Sequence, residues 1–93
     1  MGLLEKIGSA AMLEQTAEEA SELSQACLKL ARKIRRNNPT PKTFDELEDN
    51  LFEEIADMKI CLEELSESVY YDEEKVNVWI AKKKEKINDR FAE

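Results

Sequence analysis

Histidine is absent from the 93-residue chain, and several chemistries go with it. There can be no Ser/His/Asp or Cys/His nucleophilic centre, no histidine-containing zinc site and no Glu-x-x-His di-iron motif. Glycine and proline are nearly absent: two of each, at Gly2, Gly8, Pro39 and Pro41. With no Val/Thr-rich alternating runs either, the chain reads as all helical. Cys27 and Cys61 are too few for a disulfide framework and too far apart for a CxxC site, which suits a reducing cytosol. They are expected to pack as small residues between helices. No apolar run approaches ~18 residues, and the first residues lack the cationic start and long apolar stretch of a secretory signal. A soluble, cytoplasmic protein is the expectation, with no membrane partner. Positive charge is also scarce, 14 basic against 21 acidic side chains and a net charge of -7, which argues against coating a nucleic-acid polymer. No glycine-rich loop or GxxxxGK[ST] is present to cradle phosphates with backbone amides. A small phosphorylated ligand held through metal ions remains compatible with that charge.

What is present is helical periodicity. From Ser9 to about Arg36, Leu13, Ala17, Ala20, Leu23, Cys27, Leu30, Ala31 and Ile34 recur at three and four residues as one stripe. Residues 37–42, with Pro39 and Pro41, read as a loop. A second helix opens at Thr43 with the Thr-x-x-Glu pattern of a capping box completed by Glu46. Its stripe is Leu47, Leu51, Ile55, Met58, Leu62, Leu65 and Val69, a spacing that packs against a neighbouring helix at a shallow angle. Asp72 is a candidate N-cap for a third helix reaching about Arg90 and carrying Val76, Trp79, Ile80, Ile87 and Phe91. The segment from Gly2 to Gly8 is a short extra turn or a frayed start. A chain this short buries only about 60 to 65% of its unfolded surface, so a single protomer has a marginal core. The expected architecture is therefore one all-α domain over residues 1–93, an antiparallel helical bundle completed by self-association as a dimer or tetramer.

Two acidic groups fall beside these stripes. Glu18, Glu19 and Glu22 span roughly 100° of arc on the first helix, and Glu54 and Asp57 about 60° on the second, with Glu53 one position further out. If the stripes pack face to face, Glu19, Glu22, Glu54 and Asp57 converge. Such convergence costs several kcal/mol of repulsion and desolvation unless a cation sits at the centre. All-oxygen ligands suit Mg²⁺ or Mn²⁺. A solvated acidic surface is the plainer alternative. Lys29 and Lys33 continue the acidic row of the first helix, and Lys82, Lys83, Lys84, Lys86 and Arg90 make the third helix basic, so a phosphate chain bridging metal and cations is the economical ligand.

Glu18-Glu19-Ala20-Ser21-Glu22 followed by Glu53-Glu54-Ile55-Ala56-Asp57 resembles the EExxE and ExxD motifs of the MazG-like all-alpha nucleoside triphosphate pyrophosphohydrolases. The lead-in Asn50-Leu51-Phe52 and the ending Lys86-Ile87-Asn88-Asp89-Arg90-Phe91 are similar too, and the resemblance spans about Ser9 to Phe91. The interval from Glu22 to Glu54 is longer than is usual in that family, because of Arg35 to Lys42. The resemblance implies hydrolysis of a (deoxy)nucleoside triphosphate to the monophosphate and pyrophosphate. It implies Mg²⁺ held by Glu19, Glu22, Glu54 and Asp57, with Glu18 and Glu53 matching leading glutamates whose task is to hold a second metal, orient water or act as general base. Lys29, Lys86 and Arg90 match positions suited to triphosphate contact. Two other readings stay open: a non-enzymatic helical interaction module, and a family member that binds nucleotide without hydrolysing it. Trp79, Tyr70 and Tyr71 are candidates to stack a base, or packed aromatics of a core or interface.

Overall fold

The computed structural model describes residues 2–36 and 41–91. Three helices follow one another, α1 (Leu3–Arg35), α2 (Phe44–Leu65) and α3 (Glu73–Phe91), and the described residues contain no strand. Most of the expected loop at residues 37–42 lies outside the described residues; Pro41 and Lys42 are non-helical.

Local chemistry sets the boundaries. Glu46 N–H donates to Thr43 Oγ1 at 3.2 Å while Thr43 N–H donates to Glu46 Oε1 at 3.0 Å, the reciprocal capping box that starts α2. Those two bonds to Thr43 hold the Glu46 carboxyl below its ordinary pKa. Lys75 N–H donates to Asp72 Oδ1 at 3.1 Å, so Asp72 caps α3. α1 begins earlier than the periodicity predicts. Leu3 to Ile7 form a helical turn, and the path then breaks at Gly8, whose φ of 84° and ψ of 168° lie outside the helical region. The C-terminal end of α1 is closed by Arg36 in the left-handed region at φ 58°, its N–H donating to Lys33 O.

α1 and α2 pack together, and the start of α1 meets the end of α2. Leu4 N–H donates to Glu64 Oε1 at 2.8 Å, and the Ser9 and Ser68 hydroxyls are 3.2 Å apart. The seam is narrow. Met12, Ala26 and Leu30 are buried from α1, Leu47 and Cys61 from α2, and Glu54 and Ser68 are buried among them. Leu47, Glu54 and Cys61 on α2, and Ser68 in the turn after it, are buried at every seventh position, and Met12, Glu19, Ala26 and Lys33 on α1 repeat likewise, all buried or half-buried. A seven-residue repeat keeps one line of side chains facing a neighbouring helix.

This corrects the expected stripes. Leu62 on α2, Val69 in the turn beyond the end of α2, and Leu13, Ala17, Ala20, Cys27 and Ile34 on α1 are exposed rather than buried. The seam uses one edge of each apolar stripe, because a single neighbouring helix covers less arc than the stripe occupies. Cys61 is buried as expected; Cys27 is exposed. α3 packs against neither α1 nor α2. Its Trp79, Ile80 and Ile87 are exposed, as is Tyr70 in the preceding turn, so Trp79 and Tyr70 are not part of a core within the chain, while Tyr71 is half-buried. No helix among the described residues is long and apolar enough to cross a membrane.

Candidate metal centre

Glu54 stands at the midpoint of the α2 seam, in the register of Leu47 and Cys61, where an aliphatic side chain would be the ordinary choice. Glu19 holds the corresponding place on α1, between Met12 and Ala26. Glu22 and Asp57 follow three residues later on their helices, which turns each about 60° toward one side of the seam. The carboxylates of the two helices therefore approach one another at Glu54, where the seven-residue registers of α1 and α2 coincide.

The resulting geometry is two triads sharing one residue. Glu19, Glu22 and Glu54 each offer a ligand oxygen within 4.8 Å of the others, and so do Glu53, Glu54 and Asp57. Burial falls from Glu54, which is 9% exposed, through half-buried Glu19 and Asp57 to exposed Glu22 and Glu53. Glu19 Oε1 accepts a hydrogen bond from Gln15 Nε2 at 3.0 Å. Glu19 Oε2 and Glu54 Oε2 are enclosed by protein with no hydrogen-bond partner. A buried carboxylate oxygen left unpaired is costly, and two at one point concentrate that cost.

The electrostatics agree with the geometry. Burial raises the Glu54 pKa above its ordinary value, and Glu22, Asp57, Glu19 and Glu53 raise it further; every charged group that shifts it is an anion. Burial, then Glu19 and Asp57, also push the Cys61 thiol up, so the same negative potential reaches one turn beyond Asp57 and keeps that thiol protonated. A divalent cation among these oxygens would supply the missing partner for both orphaned atoms. An all-carboxylate donor set suits a hard ion of the Mg²⁺ or Mn²⁺ kind.

The remaining candidates are distributed differently. Glu18 is exposed on α1 and belongs to neither triad. Lys29 is exposed, seven residues after Glu22 on α1. Lys86 and Arg90 lie on α3, where with Lys83 and Ile87 they line a shallow pocket of about 210 Å³, and α3 does not bring them to the carboxylates. Sequence reasoning placed Glu54 at the edge of an apolar stripe and missed that it is the most buried carboxylate among the described residues. The seven-residue series Leu47, Glu54, Cys61, Ser68 carried that signal. It also missed Gln15, whose amide fixes one oxygen of Glu19 four residues on. Comparison with known proteins finds no matching family model, no matching curated protein and no matching solved structure.

Proposed function

We propose that the chain is a Mg²⁺- or Mn²⁺-dependent nucleoside triphosphate pyrophosphohydrolase of the MazG-like kind, converting a (deoxy)nucleoside triphosphate to the monophosphate and pyrophosphate. The observation that carries this reading is Glu54: nine-tenths buried, with one oxygen unpartnered, and shared by two carboxylate triads. The triads are built from the residues of the two motifs that resemble that family.

In this reading Glu19, Glu22, Glu54 and Asp57 hold the metal. When bound, the ion neutralises charge on the phosphate oxygens and stabilises the departing pyrophosphate. Glu53, the exposed member of the second triad, accepts a proton from the attacking water. Glu18 stands outside both triads and is the weaker candidate for the base. The water oxygen forms a bond to the α-phosphorus while the bond from that phosphorus to the α–β bridging oxygen breaks, and the electron pair leaves with pyrophosphate. Lys29 contributes positive charge along the α1 row. Lys86 and Arg90 are the basic groups of α3 suited to the far phosphates, on a helix that stands apart from the carboxylates.

Phosphorus NMR of the protein with Mg²⁺ and a panel of nucleoside triphosphates tests the reaction. Monophosphate and pyrophosphate are the expected products, and Glu54→Gln lowers turnover by roughly 100-fold or more, since a lost metal ligand removes several kcal/mol of transition-state stabilisation. Orthophosphate and nucleoside diphosphate as the products would overturn the assignment.

A further inference from the structure

α3 sorts its charges by side. At about 100° per residue, Lys75, Lys82, Lys83, Lys84, Lys86 and Arg90 share roughly 200° of arc with Val76, Trp79, Ile80 and Ile87. Glu74, Glu85 and Asp89 fall together within roughly 60° on the opposite side. Glu73 is the exception, in the first turn, where its Oε2 accepts the Tyr71 hydroxyl at 2.5 Å. This sorting weakens α3 as an isolated helix, because Lys82, Lys86 and Arg90 follow one another at four-residue steps, and so do Glu85 and Asp89. A helix selected for its own stability would intersperse the two signs.

The basic and apolar residues of this face line an open groove of about 790 Å³ that starts beside the turn at Val69 and Tyr70. Val76, Ile80 and Ile87 give it an apolar row some 16 Å long, and Lys75, Lys83 and Lys84 give it positive charge. Its one acidic lining residue is Asp72, whose Oδ1 is taken by the Lys75 N–H. Trp79 stands at the edge, with the Lys82 and Lys83 Nζ atoms 5.1 and 6.0 Å from its ring centroid.

We infer that this groove binds an amphipathic helix of a partner protein, one whose apolar ridge is bordered by Asp and Glu. Charge complementarity selects that chemistry, since lysines stand on both sides of the apolar row. A helix is selected because the α3 backbone is already hydrogen-bonded within itself and offers no edge to an added strand, whereas its row accepts the ridge of another helix. Pairing with α3 of a second copy would set Lys83 and Lys84 against the same lysines, with Glu85 and Asp89 turned away. An anionic lipid surface is disfavoured as well. The apolar row spans only about 40° of arc, and the net charge of -7 repels such a surface. Lys86 and Arg90 do not line this groove, so the inference is independent of the hydrolase reading.

Trp79 is the single tryptophan, so fluorescence of the full chain reports on the groove. The probe is a synthetic helical peptide of about 20 residues, with Leu at three- and four-residue spacing and Glu along both borders of that row. It should shift the Trp79 emission and bind more weakly as salt is raised. Lys83→Glu combined with Lys84→Glu should raise its dissociation constant by roughly 30-fold or more, with helix content by circular dichroism retained because both positions are exposed. Lys59→Glu, exposed on α2, should leave the constant unchanged. The same peptide with Lys in place of Glu should not bind. Failure of the Glu peptide to bind at millimolar concentration, equal binding of the Lys peptide, or a Trp79 response to phosphatidylserine vesicles stronger than to the Glu peptide overturns the inference. So does a fall in mass by light scattering on Lys83→Glu, which would place a second copy in the groove.

Discussion

The α1/α2 pair and α3 are both amphipathic, yet only the pair encloses anything. Between α1 and α2 a seam one side chain wide excludes water well enough to leave carboxylate oxygens unpartnered. On α3 the apolar Val76, Ile80 and Ile87 recur at helical spacing with equal regularity, and Val76 alone is even half-buried. The contrast extends to charge, for α3 carries six of the 14 basic side chains and four of the 21 acidic ones. Amphipathic patterning thus states which side of a helix seeks cover. Where the cover comes from is decided by registers shared between helices, which α1 and α2 possess and α3 does not share with either.

The largest effect should come from the seam itself. Leu47 is 1% exposed, so Leu47→Ala should destabilise the protein by about 2–5 kcal/mol in denaturant titration. Ile80→Ala on α3 should cost under ~1 kcal/mol if that helix is as bare in solution as in the protomer; a cost like that of Leu47 would show its stripe covered by another molecule.

The next contrast is between the two charged regions. Mg²⁺ at a hundred times its dissociation constant should stabilise the protein by about 2.7 kcal/mol. Glu54→Gln should abolish that gain, whereas Lys83→Gln on α3 should keep it. Without metal the sign of the Glu54 effect reverses. Its folded-state pKa is raised, so the contribution of this group to stability is complete below the ordinary carboxylate value of about 4.5 and is lost as pH rises through the raised one. Metal-free Glu54→Gln should accordingly melt higher than the parent at neutral pH and no higher in acid. A parent protein that melts higher than this variant at neutral pH without metal would mean that Glu54 is not held unpaired. The smallest effect is local: Thr43→Ala removes one half of the capping box and should cost about 1 kcal/mol, confined to the start of α2.

Helix type, the capping box at Thr43 and the cap at Asp72 were legible because each depends on residues within one turn. The closeness of Glu19 to Glu22 and of Glu54 to Asp57 was legible for a related reason, since a three-residue spacing fixes directions within one helix; the single point expected for all four is in the structure two triads that share Glu54, with Glu53 in the second. The rotation of the seam was not legible. Leu51, Ile55 and Leu62 outnumber Glu54 in hydrophobicity, and a reading by stripe therefore centres α2 on them. The protomer instead centres it on a line containing a charged and a hydroxyl residue, Glu54 and Ser68. Such a line is chosen by the opposing helix, and no stripe on α2 alone reports it. The bareness of α3 was equally hidden, since its pattern is the same covered or not.

Gly8 bears on how this molecule opens. Its surroundings are empty, for a Cβ built there would meet no atom within 4 Å, so the residue is glycine for the sake of its dihedral and not for want of room. With φ at 84° it acts as a swivel, turning the Leu3–Ile7 segment until the Leu4 amide reaches Glu64. An alanine at this position would favour an unbroken helix and carry that amide away from the tip of α2. The segment is therefore a detachable clasp whose release leaves the meeting of Glu19 and Glu54 undisturbed, and hydrogen exchange at Leu4 should run far ahead of exchange at the amides around residue 54.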